Sequence, residues 1–266
     1  MPSLQLSPRL SLHYLDENLQ GSPAVLLLHG LGADGSSWRL QFDCLEQAGF
    51  RLLAPDAPGF GQSTYPGGSL SIRQVAGYFA AFLQRLETGP VHVVGISMGG
   101  VHALQLALDH PELVRKLVLV NTFAALRPGG LRIWLYFALR FILVHTLGLP
   151  AQARAVTGHI FPHPDQEFLR QELYRQIVQA DPGGYRAAIR ALGLFDVRRR
   201  LGEIRLSTLV ITGEQDTTVP PPIQQALVQG ISGGRQVTIA GAGHAVIADH
   251  PELFNRILVE FLTARS

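Results

Sequence analysis

Ser97 stands in the run Gly95-Ile96-Ser97-Met98-Gly99-Gly100, between the apolar stretch Val91–Val94 and a helix-compatible segment, Val101 to Asp109. A strand that turns sharply into a helix through G-x-S-x-G strains its serine and presents the hydroxyl at the tip of the turn. Gly95 and Gly99 supply the missing bulk on either side, and Gly100 lets the new helix pack close. A serine hydroxyl is a poor nucleophile at neutral pH and needs a base that is itself oriented by an acid. Of the ten histidines, His244 has the best position, in Gly241-Ala242-Gly243-His244-Ala245 just past the apolar run Gln236–Ile239. His92 in a strand and His102 on the helix after Ser97 read as structural. His110 and His250, each before Pro-Glu-Leu, read as turn or capping residues, whereas His159 and His163 are candidates for ligand contact. Three acids compete to orient the base: Glu214 and Asp216, on the loop after Thr208–Ile211, and Asp249. Residue type alone leaves that choice open.

A third component is a place for developing negative charge. His29-Gly30-Leu31-Gly32 follows the apolar run Ala24–Leu28. Such a loop offers one backbone N–H, and the residue after the nucleophile offers another, which nominates the amides of Leu31 and Met98. Their side chains, with Gly30, are expected to line the pocket. The loop Asp56-Ala57-Pro58-Gly59-Phe60-Gly61-Gln62-Ser63 is expected to be a structural marker, with Asp56 holding it by local hydrogen bonds.

Positioning these groups requires strands that end at one edge. Apolar runs at Ala24–Leu28, Arg51–Ala54, Val91–Val94, Lys116–Val120, Thr208–Ile211 and Gln236–Ile239 suit strands covered on both faces. Helical patterns lie between them at Ser37–Ala48, Leu70–Leu86, Val101–Leu108, Pro221–Gln229 and Pro251–Leu262. The alternation predicts a mostly parallel, doubly wound α/β sheet, with Ser11–Tyr14 as an antiparallel edge strand. It breaks between Asn121 and Arg205, a helix-rich stretch punctuated at Pro128-Gly129-Gly130, Pro162-His163-Pro164 and Asp181-Pro182-Gly183-Gly184. This reads as a helical cap inserted after the sixth strand: residues 121–205 form the cap, and 1–120 with 206–266 form the core. The cap carries 12 Arg against six acidic residues, in a chain of net charge +2. From its aromatic segment, Trp134 and Phe137 are expected in the pocket, with Val219 from the acid loop.

Composition narrows the partners. Hydrophobic residues make up 47% and charged residues 16%, which suits a well-buried globular protein. A net charge of +2 is too small to point to nucleic acid. Cys44 is the single cysteine, which excludes an internal disulfide and a Cys-rich metal site. Residues 1–16 lack a continuous apolar segment, so no signal peptide is expected and a cytoplasmic location is the default. Leu131–Leu149 approaches the length of a membrane span, but Arg132, Arg140 and His145 interrupt it, so no stable span is expected. It is read as an apolar helix over a pocket.

Together the elbow, the HGLG loop, the DAPGFGQS loop, the GEQD acid loop and the GAGH loop resemble the α/β-hydrolase superfamily, in the same order and over nearly the whole chain. The resemblance implies the α/β-hydrolase fold and a capped, cofactor-free and metal-free serine hydrolase that forms an acyl-enzyme. It also favours Asp216 as the orienting acid, since the family places it three residues beyond the loop glycine, giving the set Ser97, Asp216 and His244. Alkyl-halide and epoxide hydrolases of this fold carry Asp where this chain has Ser97. The expected reaction is hydrolysis of a small-molecule carboxylic ester with an apolar acyl or alcohol portion. Carbon–carbon hydrolases of ring-cleavage dienoates look similar, but they usually carry Asn at the place of Ile96 and Trp at that of Ala245. An enol-lactonase would use the same residues, and a non-catalytic ligand receptor is the reading from a different class.

Overall fold

The computed structural model describes residues 2–126 and 130–264, with 130–134 described by backbone alone. One sheet contains β1 (Ser3–Ser7), β2 (Leu10–Glu17), β3 (Ala24–Leu28), β4 (Arg51–Pro55), β5 (Val91–Ile96), β6 (Val114–Val120), β7 (Ser207–Gly213) and β8 (Arg235–Ile239). Their spatial order is β1-β2-β4-β3-β5-β6-β7-β8. All pairings among β3 to β8 are parallel, while β1 and β2 are antiparallel to their neighbours. The expected six parallel strands are present, each ending within two residues of its apolar run. The expected single edge strand is instead a pair. β1 is the true edge, and β2 is longer than Ser11–Tyr14 and lies inside it.

The helices are α1 (Arg39–Gln47), α2 (Ile72–Arg85), α3 (Met98–Asp109), α4 (Gly130–Thr146), α5 (Gly148–Ile160), α6 (Glu167–Gln179), α7 (Pro182–Leu194), α8 (Pro221–Gly230), α9 (Val246–Asp249) and α10 (Pro251–Thr263). Alternate strand residues feed two cores, as the twofold repeat of a strand requires. Val25, Leu27 and Val94 pack toward Trp38, Phe42 and Phe254, from the side of α1 and α10. Leu26, Leu28 and Val93 pack toward Phe79, Leu104 and Leu227, from α2, α3 and α8. Helices on both faces of a parallel sheet make it doubly wound, as expected. Ser71 and Gln74 form a capping box that starts α2 sharply.

The chain leaves β3 toward β4 on one side, while β5 lies on the other. The resulting crevice at the strands' carboxyl ends is where open α/β sheets bind ligands. β3 delivers His29 there, and β5 delivers Ser97. Four helices, α4 to α7, come between β6 and β7. The ends of this insertion are tied together: Ala125 bridges Asp196, and the Val197 N–H donates to Ala124 O at 3.0 Å. Of the punctuation at Pro128-Gly129-Gly130, residues 128 and 129 lie outside the described residues. The apolar segment Leu131–Leu149 is broken at Leu147, between α4 and α5, and Gly148 begins α5 with φ 76°. Among the described residues no helix is long and apolar enough to cross a membrane.

Candidate active site

Ser97 has φ 54° and ψ −115°, a conformation that costs a non-glycine residue roughly 1–3 kcal/mol. Its surroundings impose it. The Ser97 N–H donates to Val120 O at 2.9 Å, and the Thr122 hydroxyl donates to Ser97 O at 2.7 Å. A Cβ on Gly99 would overlap the carbonyl oxygen of Leu28, so the start of α3 can press against the end of β3 only with glycine there. The helix therefore begins at Met98, three residues earlier than its apolar pattern suggests. Neither the Met98 nor the Leu31 N–H donates to a backbone acceptor among the described residues. Met98 is also the first residue of α3, where the helix dipole favours negative charge.

The His244 Nε2 lies 3.1 Å from Ser97 Oγ, and its Nδ1 lies 3.0 and 2.9 Å from the two carboxylate oxygens of Asp216. An ionised carboxylate only accepts, so Nδ1 carries the proton and Nε2 offers its lone pair to the serine hydroxyl. Asp216 is 2% exposed. It also accepts from the Thr218 and Val219 N–H groups, both at 2.9 Å, and from Gln224 Nε2 at 3.2 Å. The rival acids act elsewhere. Glu214 accepts from the Gly241 N–H at 3.0 Å, and Asp249 from the Gly243 N–H at 2.8 Å. Both brace the loop that carries His244.

Residues that sequence reasoning missed hold this chain of bonds in register. Asn121, immediately after β6 and with φ 43°, donates to Gly243 O at 3.0 Å and His244 O at 2.7 Å. Its own oxygen accepts from the Gly213 N–H at 2.8 Å. Gln224 on α8 donates to Val219 O at 2.7 Å and accepts from the Thr212 hydroxyl at 2.9 Å. Thus one Asn and one Gln clamp the acid loop to the histidine loop. The Asn at the very end of an apolar strand was the only available signal.

On the other side, His29 Nε2 accepts from the Ala57 N–H at 2.9 Å, leaving Nδ1 to donate to Gly30 O at 2.8 Å. Asp56 does more than hold its own loop. It accepts from the Gln62 N–H at 2.9 Å, the Gly35 N–H at 2.8 Å and His13 Nδ1 at 2.8 Å, joining three segments. His102 and His92 are buried, as a structural role requires. Burial, with His29 nearby, pushes the His102 imidazole down to about 3. Burial, then Lys116 and Arg115, push His92 down to about 4.

A cavity of about 550 Å³ opens between the sheet edge and the inserted helices, with Ser97 and His244 on its wall. Gly30, Leu31, Ile96 and Ala245 line it from the core. Several expected pocket residues are placed differently. The Trp134 side chain lies outside the described residues. Phe137 is half-buried against the core and is not on the cavity wall. Val219 is 1% exposed and serves Asp216 through its N–H. The Met98 side chain also turns into the core, because it starts the buried helix α3. The apolar wall comes from α5 and α6 (Val156, Ile160, Leu169 and Leu173), not from α4 as expected. Leu135, Leu139 and Ile142 of α4 are more than half exposed. What α4 contributes is Arg140.

The two histidines of the insertion between β6 and β7 divide. His163 is exposed, whereas His159 Nε2 sits 3.2 Å from Thr217 Oγ1 on the acid loop. Burial lowers the His159 pKa, as do His244 and Arg140, against the opposing pull of Asp216. Among the described residues no group of three or more His, Cys, Asp or Glu could hold a metal ion.

The chain is similar to known proteins over nearly its full length. A Variovorax paradoxus protein named as a carbamate hydrolase, RutD, is 32% identical over 95% of this chain and 96% of its own. A 2-hydroxy-6-oxononadienedioate/2-hydroxy-6-oxononatrienedioate hydrolase from Pseudomonas putida is 30% identical, covering 96% of this chain and 92% of its own. The crystal structure of the enol-lactonase from Burkholderia xenovorans LB400 superposes with a TM-score of 0.89 at 28% identity, covering 99% of this chain and all of that one. The family model described as the alpha/beta hydrolase fold matches residues 23–251. The parallel sheet, the strained serine at the end of β5 and the helices inserted after β6 therefore have one common explanation: the chain belongs to the α/β-hydrolase family.

Proposed function

We propose that this protein is a serine hydrolase that cleaves carboxylic esters through an acyl-enzyme. The observation that carries the reading is the continuous chain of hydrogen bonds from Ser97 Oγ through His244 to buried Asp216. Ser97 Oγ attacks the carbonyl carbon while His244 Nε2 takes its proton. Asp216 keeps the imidazole in the Nδ1–H form and stabilises the imidazolium. The tetrahedral oxyanion receives the N–H groups of Leu31 and Met98, each of which would contribute about 2.7–4 kcal/mol to the transition state. His244 then protonates the leaving alcohol, and water repeats the sequence to release the acid. In this reading residues 1–120 and 206–266 are the catalytic core, and 121–205 are the cap that shapes the pocket.

The largely apolar cavity wall supports an apolar acyl or alcohol portion. A lactone is a cyclic ester and is opened by the same steps. Ile96 and Ala245, where this chain departs from the carbon–carbon hydrolases, both stand on the cavity wall, so the departure falls where substrate is held. The test is turnover of p-nitrophenyl acyl esters by the wild type and by Ser97→Ala. The variant should fold normally and lose kcat by about 10³-fold or more. Turnover at the wild-type rate would remove the serine from the mechanism.

A further inference from the structure

Arg140 is a guanidinium sealed into the wall of the ester site with no acid beside it. It is 5% exposed and lines the same cavity as Ser97 and His244. Its Nη2 donates to the Tyr185 hydroxyl at 2.9 Å. With the Gln152 amide turned to satisfy its neighbours, Arg140 Nε donates to Gln152 Oε1 at 2.9 Å. The rings of Tyr136 and Phe137 lie 5.5 and 5.8 Å from its carbon centre. Every one of these partners is neutral. Among the described residues no carboxylate pairs with Arg140. Glu172, an acid on the same cavity wall, is engaged by Arg175.

A guanidinium cannot shed its proton in a protein, so this charge persists in a dry wall. Burying an uncompensated cation is costly, and a methionine would fill the same volume without that cost. Tyr185 and Gln152 occupy two of its five N–H groups and fix the plane of the fork, which suits two-point recognition of a planar anion. The neighbouring Tyr136 hydroxyl is also buried with no hydrogen-bond partner among the described residues.

We propose that Arg140 is a specificity-determining residue that binds a carboxylate carried by the substrate, so that the pocket selects esters and lactones with an anionic arm. The inference rests on the reading of Ser97 and His244 as the ester-cleaving groups. In it the apolar wall from α5 and α6 receives the carbon chain, and the Arg140 fork receives its charged end.

The experiment compares matched activated esters: mono-p-nitrophenyl succinate, glutarate and adipate against p-nitrophenyl butanoate, pentanoate and hexanoate. Hydrolysis by Ser97→Ala is subtracted as background. At the best chain length the wild type should favour the carboxylated member by about 10–100-fold in kcat/KM, the range of a charge-assisted hydrogen-bonded pair. The preference should fall toward one in Arg140→Met, chiefly through KM, and be partly kept in Arg140→Lys, which retains charge without the fork. A wild-type ratio near one at every length would overturn the proposal, as would an unchanged ratio in Arg140→Met. Thermal melting shows whether Arg140→Met folds; if it does not, the wild-type and Arg140→Lys ratios decide. Calorimetric titration with glutaramate and with neutral pentanamide separates the two readings. If no ester is cleaved but glutaramate alone binds, the ester-cleavage reading fails and the carboxylate site stands. If esters are cleaved and neither amide is preferred, the carboxylate site fails alone.

Discussion

Asp216 receives hydrogen bonds on both oxygens while sitting 2% exposed, so its charge is stabilised by donors rather than by solvent. That arrangement distinguishes it from Glu214, which is exposed and braces Gly241. Asp216→Asn should lower kcat by about 10⁴-fold, because an amide oxygen and amide nitrogen no longer enforce the Nδ1–H tautomer. Glu214→Gln should change kcat less than about tenfold, since an amide oxygen can still accept from the Gly241 N–H. Steady-state kinetics on one ester would show it, and the reverse ranking would make Glu214 the orienting acid. Ser97 and His244 were legible in the sequence because turn chemistry announces them. Asn121 and Gln224 were not: Asn121 joins Gly213 to the distant histidine loop, and Gln224 ties Asp216 to Asn121, contacts that only the folded chain reveals. Arg140 was one of 12 arginines between residues 121 and 205, and only packing shows which of them faces inward.

At the scale of elements, the site is a property of strand ends. β5 supplies Ser97, β7 Asp216 and β8 His244, and the close approach of α3 to β3 sets the turn from β5 into α3 on which Ser97 sits. Gly99→Ala should therefore damage the fold itself: its methyl would meet the Leu28 carbonyl, a backbone atom that cannot rotate away. We expect a lowered melting temperature, by several degrees or more, together with loss of esterase activity. A variant that melts and works like the wild type would show that the elbow is more pliable than its contacts imply. The parallel strands were readable because burial on both faces leaves long apolar runs. β1 was not, since its alternating Ser-Leu-Gln-Leu-Ser is short and half-exposed. The role of α4 was misread for a related reason. An apolar composition says that a helix can cover a surface, but not which of its faces does so, and its exposed leucines turn outward.

Across the whole molecule, buried histidines link stability to pH. His102, whose pKa is about 3 when folded, titrates near 6.5 when unfolded, so the unfolded chain binds more protons between those values. Stability that is full above pH 6.5 is therefore lost as the pH falls, at up to about 1.4 kcal/mol per unit from this one group. His92, at about 4, acts in the same direction. Urea denaturation at pH 7, 5.5 and 4.5 should show the decline, and His102→Asn should flatten it. A variant whose stability falls as steeply as the wild type's would assign the acid sensitivity to other groups.

The proposed nucleophile is Ser97 Oγ, activated by His244. Its most direct measurement is reaction with diethyl p-nitrophenyl phosphate, which transfers its phosphoryl group to an activated serine and releases p-nitrophenolate. We expect one equivalent of p-nitrophenolate per chain and a phosphorylated peptide containing Ser97, with neither product from Ser97→Ala and slow labelling of His244→Ala. Stoichiometric labelling of Ser97→Ala, or an adduct on any other residue, would contradict it.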